Sequence, residues 1–196
     1  MAYPFSDLQL DAMRELGNIG SGTAATALSS LIGVPVDIDI ARASALPITE
    51  AVAAAAPADA AITAVVLPIG GDLDARVIIL MAPRTVETVC GLLGVAAGDE
   101  MADSALCEVG NILGASYVRA LGTMIGAHLE PRPPELVNDL LRVVLAAALL
   151  ASGEDEVALL LESTLTVNDV ECSPSFLFVP SAGGLTRIFD RLGVSV

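Results

Sequence analysis

The sequence predicts an α+β fold in which two duplicated half-domains form one pseudo-two-fold domain, with an antiparallel sheet and two long motif-bearing helices. Three observations support this prediction. A motif near the N-terminus returns once along the 196-residue chain, both copies lie in long segments of helical periodicity, and each copy is followed by apolar segments with the length and turn residues of strands. We expect a single domain over residues 1–196, with repeats at about 5–94 and 99–193.

The repeated motif has the form (Asp/Ser)-x-x-x-Glu-x-Gly-Asn-Ile. It occurs as DAMRELGNI from Asp11 and as SALCEVGNI from Ser104. The same offset, 104 − 11 = 93, also relates Gly33 to Gly126, so it holds over more than twenty residues and indicates duplication of a half-domain. Two further polar pairs share this offset: Glu15 with Glu108 and Asn18 with Asn111.

Each copy places its polar residues on one face of a helix. At about 100° per residue, positions i, i+4, i+7 and i+11 fall within a wedge of roughly 60°. The opposite side is apolar in both copies, which is typical of a helix with a buried back. We therefore predict two outward faces, called the first stripe (Asp11, Glu15, Asn18 and Gly22) and the second stripe (Ser104, Glu108, Asn111 and Ala115).

The first half begins with a helix that Ser6 or Asp7 can cap and that ends near Ile32, before Gly33. Pro35 confines the start of the following strand to a sheet edge. Apolar periodicity and turn residues predict the other elements of this half. They are a strand at 34–40, a short helix at 49–56, strands at 61–69 and 75–81 joined by a turn at 70–72, and a helix at 83–93.

The second half repeats this order. Its motif helix is predicted to start at a cap formed by Asp103 or Ser104 and to run to about His128. A rigid extended spacer of three prolines and one Arg follows at 131–134. The remaining predicted elements are a helix at 135–151 ending at Ser152-Gly153, a strand pair at 156–167 and 172–179, and a short helix at 184–192.

Three glycines inside the first helix need a reason, because each costs roughly 1 kcal/mol relative to Ala. Gly17, Gly20 and Gly22 therefore indicate close approach of another backbone on either side of the helix. Gly20 falls on the buried side, whereas Gly22 lies beside Asn18 on the first stripe. The second stripe has Ala115 at that place, which suggests that the two faces are not equally open to a partner.

The charge balance excludes several classes of partner. Nine basic residues stand against 24 acidic ones, and all nine are Arg, so the net charge is −15. Such a balance argues against DNA, RNA and anionic membranes, and 3% aromatic residues leave little for base stacking. The acidity indicates a cationic partner or a halophilic origin. Codon bias is the other explanation of the acidity. Stability measured against molar KCl separates codon bias from a halophilic origin.

The cysteines, the histidine and the hydropathy indicate the cellular compartment and argue against a zinc site. Cys90, Cys107 and Cys172 are odd in number and irregularly spaced, which predicts free thiols in a reducing cytosol rather than disulfides or a zinc site. The single His128 is expected to be an ordinary helix-end residue. The N-terminus lacks a signal-peptide pattern, and the longest apolar run, 143–151, is too short to cross a bilayer. We predict a cytoplasmic protein without membrane insertion.

The stripes limit the chemistry that the chain can perform. The motif glycines lie inside a helical pattern rather than in a phosphate-binding loop between strand and helix, and no nucleophile elbow accompanies the single His. An Asn amide can hold a water for attack because it offers both a donor and an acceptor, and a Glu carboxylate can pair with a partner's Lys or Arg. Amides position water in known phosphoryl hydrolysis. A solvated helix face is the alternative interpretation.

At these residues the chain resembles a known family. ELGNIGSGTAATALS and CEVGNILGASYVRAL are similar to the CheC family of chemotaxis phosphatases, whose pattern is Asp/Ser-x-x-x-Glu-x-x-Asn with a later Pro. The resemblance extends over nearly the whole chain, including the duplicated layout. It implies a hydrolase that removes the phosphoryl group from the aspartate of the response regulator CheY. Many members of the family also bind the receptor deamidase CheD.

The resemblance also implies residue roles. Asn18 and Asn111 would align the attacking water, and Glu15 and Glu108 would pair with the regulator's Lys. No metal or cofactor would be bound by the chain itself, because Mg²⁺ would be held by the regulator. The supporting motif positions would be Asp11 and Ser104 at the start, Pro35 as the later Pro of the first copy, and Pro131 or Pro133 as that of the second.

Two other interpretations stay open at this point. One is a non-catalytic adaptor that binds CheD or phosphorylated CheY and regulates receptor deamidation. The other is a flagellar-switch component of the FliY kind, which has the same fold with an appended motor-binding domain. We expect no such domain within these 196 residues, so this interpretation ranks last.

Overall fold

The structure, a computed structural model, describes residues 6–144, 146 and 157–194. Its helices are α1 (Asp7–Ile32), α2 (Ile48–Ala55), α3 (Pro83–Leu92), α4 (Glu100–Ile125) and α5 (Gly184–Leu192), and residues 141–144 are also helical. Its strands are β1 (Asp37–Pro47), β2 (Ala61–Gly71), β3 (Ala75–Met81), β4 (Leu129–Pro131), β5 (Glu135–Leu140), β6 (Val157–Val167), β7 (Val170–Cys172) and β8 (Ser175–Pro180).

The strands form one antiparallel sheet in the order β1-β6-β8-β3-β2-β4, with β5 also pairing β2 and β7 pairing β6. The halves exchange strands. β1 of the first half pairs with β6 of the second, whereas β4 and β5, at the corresponding positions of the second half, pair with β2 of the first. This reciprocal pairing confirms the α+β class, the antiparallel sheet and the duplicated, pseudo-two-fold arrangement. The repeat boundaries stay a prediction.

The two long helices match in length. α1 and α4 each have 26 residues, and both of their ends are offset by 93 (100 − 7 and 125 − 32). Ser6 caps α1 in a capping box with Gln9, and Gly33 ends it in the left-handed conformation, as predicted. The predicted bounds of α4 were wrong, because the helix starts earlier, after Asp99, and ends before the left-handed Gly126. Ser104 therefore lies inside the helix, and His128 lies beyond it.

The predicted helix at 135–151 was wrong over its first six residues. Residues Glu135–Leu140 form β5, which pairs with β2 from Val66 to Ala61. Pairing with an open sheet edge supplies these backbone groups with partners that an isolated helical turn would otherwise provide. Helical backbone begins only at Leu141, and the predicted end at Ser152-Gly153 lies outside the described residues.

Two apolar layers cover the two faces of the sheet. The larger layer includes α1 and α4, with Leu16 and Leu121 almost fully buried against sheet residues such as Leu161. The smaller layer includes α2 and the start of the helical segment at 141, with Ile48 and Leu141 fully buried. No helix in the described ranges is both long enough and apolar enough to span a bilayer, although α1 and α4 each have 26 residues. The larger layer fixes both motif helices on one face of the sheet.

The α1–α4 crossing explains one of the costly glycines. A Cβ placed on Gly20 would lie 2.8 Å from Cε1 of Tyr117 in α4, so only Gly admits this ring. The ring is stacked obliquely 4.6 Å from Phe176, and its buried hydroxyl has no partner among the described residues, while burial raises the pKa of that phenol. Gly17 similarly faces the Ile40 side chain of β1. These glycines admit side chains, not the second backbone that was predicted.

Candidate functional site

The first stripe lies on the exposed side of α1. Asp11, Glu15 and Asn18 are exposed, and a Cβ on Gly22 would meet nothing within 4 Å. Asp11 accepts a hydrogen bond from the Arg14 guanidinium at 3.2 Å in an exposed ion pair. Within the described part of the chain, the Glu15 carboxylate has no cation within 4.0 Å. The first stripe therefore offers a partner one free carboxylate and one free amide, about a helical turn apart.

The second stripe lies in a shallow groove. Ser104 and Glu108 are exposed and Asn111 is half-buried. The groove encloses about 360 Å³ and is lined by Asp103, Ser104, Cys107, Glu108, Asn111 and Pro134. Among the described residues, Glu108 also lacks a cation within 4.0 Å. The groove holds the same pair of functional groups as the first stripe, in a more enclosed setting.

Ala115 does not belong to the exposed face. It was predicted on the second stripe, but it is only 9% exposed. This part of α4 packs tightly on the sheet, because Cβ atoms on Gly110 and Gly114 would meet the β2 side chains of Val65 at 2.6 Å and Leu67 at 2.9 Å. The predicted inequality of the two faces agrees with this burial, with the exposed Gly22 on one side and buried Ala115 on the other.

The structure corrects the assignment of the prolines. Pro134, not Pro131 or Pro133, lines the groove with the second stripe. Pro131 is instead the last residue of β4, opposite Ile69. Pro35 follows the C-terminal end of α1, about 20 Å along the helix axis from Asn18 at 1.5 Å per residue. It therefore does not lie beside the first stripe.

The repeat offset relates the proline of the groove to a position without proline in the first copy. Subtracting 93 from 134 gives 41, so the counterpart of Pro134 is Ala41 and the first copy has no proline at that place. β1 shifts its register between Ile40 and Arg42, where its copy is interrupted between β4 and β5. Both halves thus depart from regular pairing at equivalent positions, but only the second has a proline there.

Cys107 was not assigned to a site, yet it lines the groove. It occupies the place of Arg14 in the first copy (107 − 93) and is half-buried, whereas Cys90 and Cys172 are 1% and 6% exposed. Burial, with a contribution from the charge of Asp103, raises the pKa of the Cys107 thiol. The groove therefore contains one accessible thiol in its protonated form at neutral pH.

Native protein is expected to react with iodoacetamide at one thiol, Cys107, and denatured protein at three. Because only the thiolate attacks, a raised pKa makes the reaction slower than that of free cysteine at pH 7, and the rate should climb as pH rises through 9. Mass spectrometry of the intact protein after timed quenching measures this. Modification of Cys90 or Cys172 before Cys107 would contradict the burial order.

Fold and site together define a duplicated α+β domain with two related Glu–Asn surfaces. The model of the CheC-like family matches residues 8–41 and 101–137. These two ranges cover most of α1 and α4 and the first part of the strand region that follows each helix. The predicted resemblance to the CheC family is therefore confirmed, and it coincides with both stripes.

One curated relative and two solved structures are similar to this chain over most of its length. The chain is 28% identical over 199 residues to the protein named CheY-P phosphatase CheC of Bacillus subtilis (strain 168), covering 96% of this chain and 95% of that protein. The fold is similar to FliY of Thermotoga maritima, with a TM-score of 0.77, 17% identity and coverage of 97% and 98% of the two chains. It is also similar to a chain in the structure of the CheX–CheY–BeF3–Mg²⁺ complex from Borrelia burgdorferi, with a TM-score of 0.54, 17% identity and coverage of 86% of this chain and 99% of that chain.

Proposed function

We propose that this protein is a phosphatase that hydrolyses the aspartyl phosphate of a CheY-like response regulator in the cytoplasm. The observation that carries the proposal is the recurrence, on two matched helices, of an unpaired Glu and an accessible Asn on one face. The Bacillus subtilis relative with the phosphatase name covers nearly the whole chain, which supports the same activity. One structural neighbour is a complex that contains CheY, which supports a receiver domain as the partner.

The proposed mechanism uses the amide for alignment. Asn18 or Asn111 enters the regulator's phosphorylation site. Its amide oxygen accepts a hydrogen bond from a water placed in line with the P–O bond, or its NH2 group donates one to that water. Water attacks phosphorus, the bond to the aspartate oxygen breaks, and the products are inorganic phosphate and the free aspartate carboxylate. The amide does not ionise at any working pH, so it orients the water without exchanging a proton with it.

The carboxylates hold the partner in this proposal. Glu15 and Glu108 pair with the regulator's Lys, which places the Asn of the next helical turn against the phosphoryl group. Arg14 keeps Asp11 occupied at 3.2 Å, which leaves Glu15 as the free acid of the first stripe. Mg²⁺ is held by the regulator, so the chain contributes no metal ligand and no cofactor. A net charge of −15 supports a cationic rim on the partner and argues against nucleic acid.

The proposal is tested by following the decay of a phosphorylated CheY-like receiver with and without this protein. Catalytic amounts of this protein should accelerate phosphate release, and each molecule of it should dephosphorylate many receiver molecules. Binding of the activated receiver without faster release would support the non-catalytic adaptor instead. A pull-down with CheD then shows whether the chain regulates the deamidase, alone or beside the phosphatase activity.

Gly22→Ala is expected to stabilise the protein and to weaken its activity. The new Cβ meets nothing within 4 Å, so the change gains roughly 1 kcal/mol of helix propensity and raises Tm by about 2–4 °C. The same methyl group projects beside Asn18 and should raise KM for the phosphorylated receiver at the first stripe. Calorimetry and phosphate release measure the two effects.

Gly91→Ala is the matched control for that change. Gly91 lies in α3, also with nothing within 4 Å of its Cβ position, and away from both stripes. It should raise Tm similarly and leave KM unchanged. An equal KM change in both variants would show that Gly22 has no role in approach of the partner.

A further inference from the structure

The two most exposed large apolar side chains of the described residues occupy matching positions. Leu8 is 62% exposed and Met101 is 71% exposed, and they are separated by 93 residues (101 − 8). Isolated exposed apolar residues are common and need no explanation. Two of them at equivalent positions of a duplicated helix, both left outside the core, are a repeated feature of the surface.

Both side chains belong to the faces of the stripes. Leu8 precedes Glu15 by seven residues, and Met101 precedes Glu108 by seven. Seven residues rotate a helix through about 700°, only 20° short of two turns, and advance it by about 10 Å. Each Glu–Asn pair therefore has an exposed apolar side chain on the same line of the helix, two turns towards its N-terminus.

The carboxylates of Glu15 and Glu108 indicate the kind of partner that could cover these side chains. Glu15 and Glu108 have no cation within 4.0 Å among the described residues, so a complementary surface presents a cation to each of them. A partner that also covers Leu8 or Met101 needs an apolar hollow about 10 Å from that cation. A membrane surface does not fit, because a chain with a net charge of −15 is repelled by anionic lipid.

We propose that Leu8 and Met101 are apolar anchors with which the two stripes dock the receiver domain of the phosphorylated regulator, next to the Lys of its phosphorylation site. This inference rests on the proposed function and adds to it a second docking contact at each site. Burial of an exposed Leu or Met side chain gains binding free energy in proportion to the apolar area covered, and the flanking carboxylate fixes its register on the partner. The anchors act in binding and not in the chemical step.

The test is a Leu8→Ser/Met101→Ser protein, compared with the wild type by steady-state phosphate release. KM for the phosphorylated receiver should rise about tenfold while kcat stays within twofold. On an Asn18→Ala background, Met101→Ser alone should give this rise, and on an Asn111→Ala background, Leu8→Ser alone should do so. Leu31→Ser is the matched control, because Leu31 is a 42% exposed leucine near the other end of α1.

The outcomes separate this inference from the proposed function. If the wild type is active and the double variant has the same KM, the anchors are wrong and the proposed function stands. An equal rise in KM in the Leu31→Ser control would have the same meaning. Direct titration with beryllofluoride-activated receiver covers the case in which turnover is absent: binding weakened about tenfold in the double variant supports the anchors although the phosphatase proposal has failed. Absence of binding by the wild type overturns both. A dimer that dissociates only in the double variant, with KM unchanged, assigns the two side chains to self-association.

Discussion

A protein carrying both Asn18→Ala and Asn111→Ala is expected to leave a phosphorylated receiver decaying at its own intrinsic rate. In the proposed mechanism each substitution removes the amide that aligns the attacking water, and loss of such alignment lowers a rate by roughly 100-fold or more. Each single variant should keep the activity of the other stripe. Phosphate release at saturating receiver measures the loss, since the effect lies in kcat. Acceleration that survives in the double variant would remove the asparagines from the mechanism.

The fold should be unaffected by this double change. Asn18 is exposed, Asn111 is half-buried, and neither side-chain amide has a hydrogen-bond partner among the described residues. Surface substitutions of this kind usually shift the free energy of unfolding by less than about 0.5 kcal/mol. Asn138→Ala is the control, because Asn138 is an exposed asparagine of β5 that pairs with Thr63 and lies on neither stripe. It should lose no activity.

Residue patterns local to one helix were predictable from the sequence. The helical period placed Glu15, Asn18, Glu108 and Asn111 on accessible faces, and capping residues gave α1 its start and end. The single offset of 93 predicted a duplicated fold, which the reciprocal strand pairing confirms. These features depend on short-range periodicity and on sequence repetition, and both can be read directly from the sequence.

Features set by tertiary contacts were not predictable in the same way. Glu135–Leu140 forms a strand because it pairs with the edge of β2. The local pattern of these six residues contains no information about that edge. Ala115 is buried in a helix whose Gly110 and Gly114 lie against β2 side chains, a tertiary contact that helical periodicity does not indicate. The offset could have argued against Pro35, since adding 93 to 35 gives His128 and not a proline. The two sites therefore share a motif but not an environment.

Gly20→Ala is expected to lower the free energy of unfolding by about 2 kcal/mol, in spite of the higher helix propensity of Ala. The new Cβ would lie well inside contact distance of the Tyr117 ring, whose centroid lies 4.6 Å from that of Phe176. Overpacking of a buried contact costs typically 1–3 kcal/mol, and Tm should fall by roughly 4–8 °C for a chain of this length. Chemical denaturation measures the change.

A double-mutant cycle assigns this loss to the helix crossing. On a Tyr117→Leu background the cost of Gly20→Ala should shrink by more than 1 kcal/mol, because the ring that meets the new methyl group is gone. On a Tyr117→Phe background the ring remains, and the cost should be unchanged. A cost that is the same on all three backgrounds would place the strain elsewhere in α1.

The opposite signs expected at Gly20 and Gly22 follow from their positions on one helix. Two residues rotate the helix by about 200°, so Gly20 faces Tyr117 while Gly22 faces solvent beside Asn18. Adding a methyl group at Gly20 should therefore destabilise the fold and leave kcat of the folded protein unchanged. The same group at Gly22 should stabilise the fold and impair approach of the receiver. Gly20 thus serves the packing of α1 on α4, and in the proposed function Gly22 serves the partner. A methyl group at Gly20 should therefore change stability alone, whereas at Gly22 it should change stability and activity in opposite directions.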